Sequence, residues 1–164
     1  VNEKAHRKTA EEKRGRIDLP DGLISIGQTA FSSCKALTSI TIPNSVTDIH
    51  FAAFADCSRL TNVTLSNSLS SIEPSVFSDC TSLTGVAIPE SVLVIHENAF
   101  YNCAALTGIT IPESVASIGH SAFKGCAALT DIVLPPSVTS IGRRAFANTA
   151  FYMNNANWEH GALY

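Results

Sequence analysis

The sequence predicts a repeat solenoid, mainly β, and three observations carry that expectation. Phenylalanine recurs at Phe31, Phe54, Phe77, Phe100, Phe123 and Phe146, always 23 residues apart, and Cys34, Cys57, Cys80, Cys103 and Cys126 follow with the same step. A fixed period of this size is the signature of stacked, near-identical supersecondary units. Once per period a β-branched triplet such as Ile40-Thr41-Ile42 alternates inward and outward positions, which marks one short half-buried strand per rung. Proline closes most of these triplets, at Pro20, Pro43, Pro89, Pro112 and Pro135, with Ser66 standing in the third rung. Lacking an N–H, proline forces the chain out of the sheet there.

Taken in chain order, residues 1–16 stand outside the repeat. They hold six Lys/Arg against three Glu, whereas residues 17–164 hold five against eleven acids, so a basic leader precedes an acidic body. Thr9-Ala10-Glu11-Glu12 has capping-box spacing, and the leader is expected to be weakly ordered or a short helix. Ile17-Asp18-Leu19-Pro20 matches Ile40-Thr41-Ile42-Pro43, which starts the first rung at its strand and sets a solenoid of about six rungs over residues 17–149.

The unit reads F-x-x-C-x-x-L-T-x-I-x-I-P-x-S-V-x-x-I-x-x-x-A. After the strand, a second extended segment, Ser45-Val46 to Ile49 in the second rung, returns along the opposite face into the Ala53-Phe54 corner. One rung alone cannot bury Leu37, Ile40, Ile42, Val46, Ile49, Phe54 and Cys57, but neighbours stacked about 4.8 Å apart cover one another and share backbone bonds. Beyond Phe146 the pattern lapses: the cysteine column holds Thr149, the leucine column Tyr152, and the next inward positions Asn155 and Asn157. Residues 150–164 are therefore read as a cap or a break between arrays, with Tyr152, Trp158 and Tyr164 as aromatic material for covering the last rung. A chain that begins at Val1 is expected to be a segment of a longer protein.

The L-T-x-I-x-I-P, S-V-x-x-I and A-F-x-x-C elements resemble the BspA-like leucine-rich repeat family, from Ile17 to about Thr149. The resemblance implies a right-handed solenoid with short parallel strands, and neither catalysis nor a cofactor. It further implies a cell-surface or secreted protein that adheres to host matrix, host cells or other microbes.

Composition narrows the function classes independently. An acidic repeat body lacks the clustered cations that nucleic acid requires, so no nucleic-acid partner is expected. No apolar run of about 18 residues is present, so no helix is expected to span a membrane, and no secretory signal is visible.

Residues able to carry chemistry are mostly periodic, and periodicity argues for structure. A column presents one thiol per rung with side chains in parallel, which disfavours disulfides and zinc alike; the cysteines are expected to fill the interior of the turn. Ser45, Ser68, Ser91, Ser114 and Ser137 are expected to satisfy turn backbone groups, and no nucleophile, base and orienter are brought together, so no catalytic and no metal residue is assigned. His50, Glu73 and His96 share a column, with Gly27, Gly119 and Gly142 elsewhere in it, and form either an exposed electrostatic ladder or a fortuitous metal or pH-sensitive patch.

The candidate binding surface is the outward strand face, carried by Ser39, Thr41, Asn62, Thr64, Thr110 and Asp131. Its small side chains lack the Trp, Tyr and Arg anchors of tight interfaces, which suits a repetitive protein or glycan partner gripped over several rungs. Phe51 and Tyr101 are rival surface anchors, and Asn62-Val63-Thr64 is a glycosylation sequon. The expectation is a non-enzymatic binding or adhesion module, the alternative being a structural spacer or assembly scaffold.

Overall fold

In the computed structural model the described residues are 15–154. Most of the leader, its Thr9–Glu12 capping box, and Trp158 and Tyr164 lie outside the described residues.

Six rungs stack in parallel, and each carries two short strands where the triplet pattern predicts one. The first column comprises β1 (Arg16–Ile17), β3 (Ser39–Thr41), β5 (Asn62–Thr64), β7 (Gly85–Val86), β9 (Gly108–Thr110) and β11 (Asp131–Val133). The second comprises β2 (Ser25–Ile26), β4 (Asp48–Ile49), β6 (Ser71–Ile72), β8 (Val94–Ile95), β10 (Ser117–Ile118) and β12 (Ser140–Ile141). The parallel solenoid stands as expected; the strand count per rung is corrected to two. The return segment pairs because its inward isoleucine, as in Ile26↔Ile49 and Ile95↔Ile118, stacks on its equivalent in the next rung.

Pairing keeps the sequence period throughout: Ile40 faces Val63, and Asp131 faces Gly108. In the first sheet β1-β3-β5-β7 and β9-β11 are joined by a single bridge between Ala87 and Thr110. The second sheet is interrupted between β4 and β6. Elsewhere Thr47 N–H donates to Ile24 O and His50 N–H to Ile26 O, both at 2.9 Å, but among the described residues the equivalent Ser70 and Glu73 amides have no such bonds to the second rung. Ser66, in place of proline, supplies the reason. Its hydroxyl takes Val46 O (2.6 Å), Ser68 is diverted to Asn44 O (2.8 Å), and Asn44 Oδ1 accepts Asn67 N–H (2.9 Å). Side chains inserted between the two turns leave the strands that follow without a direct ladder.

The corner between Ala30-Phe31 and Cys34 is the most regular part. Two of its positions are left-handed in every rung: Thr29, Ala52, Ser75, Asn98, Ser121 and Arg144 at φ 52–61°, and Ser33, Asp56, Asp79, Asn102, Gly125 and Asn148 at φ 57–80°. Only one of the twelve is glycine, so each of the rest costs about 1–2 kcal/mol. In every corner but the last, hydrogen bonds to the next rung offset that cost, since the left-handed turns aim alternate N–H groups along the stack: Phe54 N–H meets Val76 O at 3.0 Å and Asp56 N–H meets Ser78 O at 2.8 Å.

Inside the corner the six phenylalanine rings stack at centroid separations of 5.2–5.7 Å and interplanar angles of 1–15°. Each such pair contributes about 0.5–1.5 kcal/mol beyond its burial. The stack ends on Phe151, set edge-on to Phe146 at 6.3 Å and 71° by α1 (Ala150–Asn154). Tyr152, expected to cover the last rung, is instead 57% exposed.

Candidate functional site

The first sheet brings the predicted binding residues onto one outward face. Thr41 is paired with Thr64, Asn62 lies between Ser39 and Gly85, and Asp131 is level with Gly108 beside Thr110. Thr41, Asn62, Thr64, Thr110 and Asp131 are exposed, and Ser39 is half-buried. The flanking threonines are engaged in the stack: the hydroxyls of Thr38, Thr61, Thr84 and Thr107 donate to Gly15, Thr38, Thr61 and Thr84 carbonyls at 2.7–3.3 Å. By contrast the side chains of Ser39, Thr41, Asn62, Thr64 and Thr110 make no hydrogen bond among the described residues, which leaves their donors and acceptors facing water. Among the described residues the Asp131 carboxylate accepts only the hydroxyl of its neighbour Thr130, at 3.1 Å.

One residue of this face escaped the sequence reading. Arg16 aligns with Ser39, so the column begins one rung earlier, with a cation paired to Asp18 at 3.1 Å. The alignment of Ile17 with Ile40 already implied this position; counting Arg16 into the leader hid it. Phe51 is 47% exposed, while Tyr101 is half-buried with Lys124 Nζ 5.6 Å from its ring centroid.

The cysteines form a hydrogen-bonded ladder. Cys57, Cys80, Cys103 and Cys126 are fully buried, and each thiol donates to the phenylalanine carbonyl of the preceding rung at 3.1–3.2 Å. Burial pushes Cys57 from its ordinary 9.0 up to about 12 and raises Cys80 further. The side-chain hydrogen bond with Cys126, then burial, raises Cys103. Such thiols stay protonated and unreactive at neutral pH. No two cysteines are bonded, and among the described residues no group of three His, Cys, Asp or Glu is placed to hold a metal.

The histidine column divides at the interrupted sheet. His96 reaches Glu73 at 3.8 Å, and Glu73 also accepts the Ser71 hydroxyl at 2.6 Å, but His50 lies across the gap and is exposed. Further along, glycine is required: a Cβ on Gly119 would lie 2.5 Å from Glu97 N, and one on Gly142 would meet His120 N. Of the periodic serines, Ser45 and Ser114 donate to Leu23 O and Val92 O at 2.7 Å, whereas the buried hydroxyls of Ser91 and Ser137 have no partner among the described residues.

Stacked rungs with a regular interior and a varied outer face define a solenoid repeat protein. The chain belongs to the BspA-type leucine-rich repeat family, whose region model matches with six copies over residues 10–127 and 93–160. It is 28% identical to a leucine-rich repeat protein of T. pallidum, TM-score 0.72, covering 78% of this chain and 69% of that one. It is also 33% identical to a leucine-rich cell surface protein of Faecalibacterium prausnitzii, TM-score 0.69, covering 83% and 35% respectively. A leucine-rich repeat protein of Eubacterium ventriosum is 29% identical, TM-score 0.77, covering 83% and 37%. The chain thus spans roughly two thirds of the first and about a third of the other two. Comparison with curated proteins finds no match. Leucine-rich repeat domains are in general non-enzymatic and commonly mediate protein interactions. No helix among the described residues is long and apolar enough to cross a membrane.

Proposed function

We propose that this chain is a non-enzymatic binding module of a cell-surface or secreted protein, and that the outward face of the first sheet grips matrix protein or glycan partners. The observation that supports it most directly is the set of unengaged polar groups. Most polar side chains around them bond to the adjacent rung, yet Ser39, Thr41, Asn62, Thr64 and Thr110 stay free on one surface. Five small groups spread over several rungs give weak individual contacts, so affinity must come from a repetitive partner. The likeness to a bacterial cell surface protein favours display outside the cell.

A second reading, a structural spacer, draws support from the absence of Trp and Tyr on that face. Replacing Asn62, Thr64 and Asp131 with Trp or Arg separates the two. Attachment to immobilised matrix proteins or glycans should fall about tenfold or more with unchanged melting. Unaltered attachment, or none by the parent chain, favours the spacer.

A further inference from the structure

At each internal step of the corner, three backbone N–H groups of one rung donate to three carbonyls of the next. Thr29, Phe31 and Ser33 bond Phe51, Ala53 and Ala55 at 3.0, 2.8 and 2.7 Å. The triplet recurs unbroken down to Ser121, Phe123 and Gly125, which bond Arg143, Ala145 and Ala147 at 3.0, 2.8 and 2.9 Å. The final triplet is Arg144, Phe146 and Asn148. Its outer members keep the same left-handed backbone, φ 61° and 60°, so its N–H groups are aimed as in every earlier rung. Among the described residues these three donors meet no carbonyl, because the chain leaves the repeat at α1.

What stands beside them is a pocket of about 240 Å³ lined by Ile141, Arg143, Arg144, Phe146 and Tyr152. Both arginines are exposed, and neither has an ion pair among the described residues. The intervening Ala145 and Ala147 N–H groups are spent within the turn on Gly142 O and Arg144 O, so the alternate groups point along the stack, and the donor of buried Phe146 above all favours an acceptor that enters. Interior rungs show that the triplet fits oxygen atoms. The guanidinium groups add a preference for charged oxygen over a neutral carbonyl.

We infer that the C-terminal end of the solenoid is a binding site for a carboxylate carried on an apolar group. The backbone donors of Arg144, Phe146 and Asn148 hold the oxygens, Arg143 and Arg144 supply the charge, and Ile141 and Tyr152 flank the apolar part. This site is independent of the strand face. The carboxylate of a free acid or chain terminus and that of an acidic side chain share this chemistry.

Titrating the isotopically labelled full chain with N-acetylphenylalanine should move the amide resonances of Arg144, Phe146 and Asn148 saturably, leaving those of Ser121, Phe123 and Gly125 in place. N-acetylphenylalaninamide, equal in shape but uncharged, should bind about tenfold more weakly, and R143A/R144A should lose a similar factor for the acid. N-acetylglutamate α-amide tests the side-chain source: tighter binding than N-acetylphenylalanine assigns the site to acidic side chains, weaker binding to termini. Both arginines are exposed, so unchanged shifts elsewhere verify the fold of the variant. Amides that stay still at saturating acid, or equal affinity for acid and amide, overturn the assignment.

Discussion

Individual side chains in this protein are best understood by what they hand to the rung before. Ser114 donates to Val92 O, while the equivalent Ser91 hydroxyl is buried and unmet. Ser114→Ala should therefore cost about 1 kcal/mol in urea unfolding, whereas Ser91→Ala should be neutral or slightly stabilising. Equal costs would show that the period, not the bond, sets the value of the position. The sequence displays five identical serines and does not show this difference, which lies in the hydrogen bonds between rungs. The left-handed positions are equally silent. Glycine, the usual marker of positive φ, occupies one of twelve; Thr, Ala, Ser, Asn, Asp and Arg fill the others, and in every corner but the last they are held by stacking bonds that no local pattern records.

At the scale of elements, the columns of Phe, Cys, Leu and Ile were legible because burial enforces one residue type per position. The thiol ladder gives that burial a pH signature. Cys57 loses its proton near 9 when exposed and near 12 when folded. Between those values the unfolded chain binds fewer protons than the folded one, so stability falls as pH rises, by about 1.4 kcal/mol per unit for each thiol fully shifted. Urea midpoints should be flat from pH 7 to 8.5 and then decline, and Cys57→Ala together with Cys80→Ala should flatten that decline. A parent and a variant that decline alike would place the alkaline loss elsewhere. The second strand was less legible, being only two residues long with Gly, His or Glu after it. Within the segment after Phe146 only the covering residue differs from expectation, and the reason is geometric. Extending the 23-residue period placed Tyr152 in the leucine column, but α1 changes the angle between successive side chains and turns Phe151 onto the stack instead.

Across the whole molecule the rungs are not equally joined. Corner bonds run without a break, while the second sheet opens between β4 and β6. Hydrogen exchange should show the Ser70 and Glu73 amides at least about tenfold faster than Leu93 and His96, their equivalents one rung on. Ser66→Pro, which restores the usual turn and frees Ser68 to bond Val46 O, should slow them; matched rates in the parent chain would mean that the gap closes in solution. The departure of Ser66 from proline was visible in the sequence, but its consequence several residues later was not. The outward face was legible because alternation fixes which strand positions point to solvent. Which of its groups are unengaged required the hydrogen bonds. The buried thiols carry one more consequence. Among the described residues no two cysteines are cross-linked and no group of three His, Cys, Asp or Glu is placed to hold a metal; the thiols of Cys57, Cys80, Cys103 and Cys126 serve as hydrogen-bond donors to carbonyls. Residues 15–154 should thus reach the same structure whether the chain is refolded in a reducing or an oxidising medium.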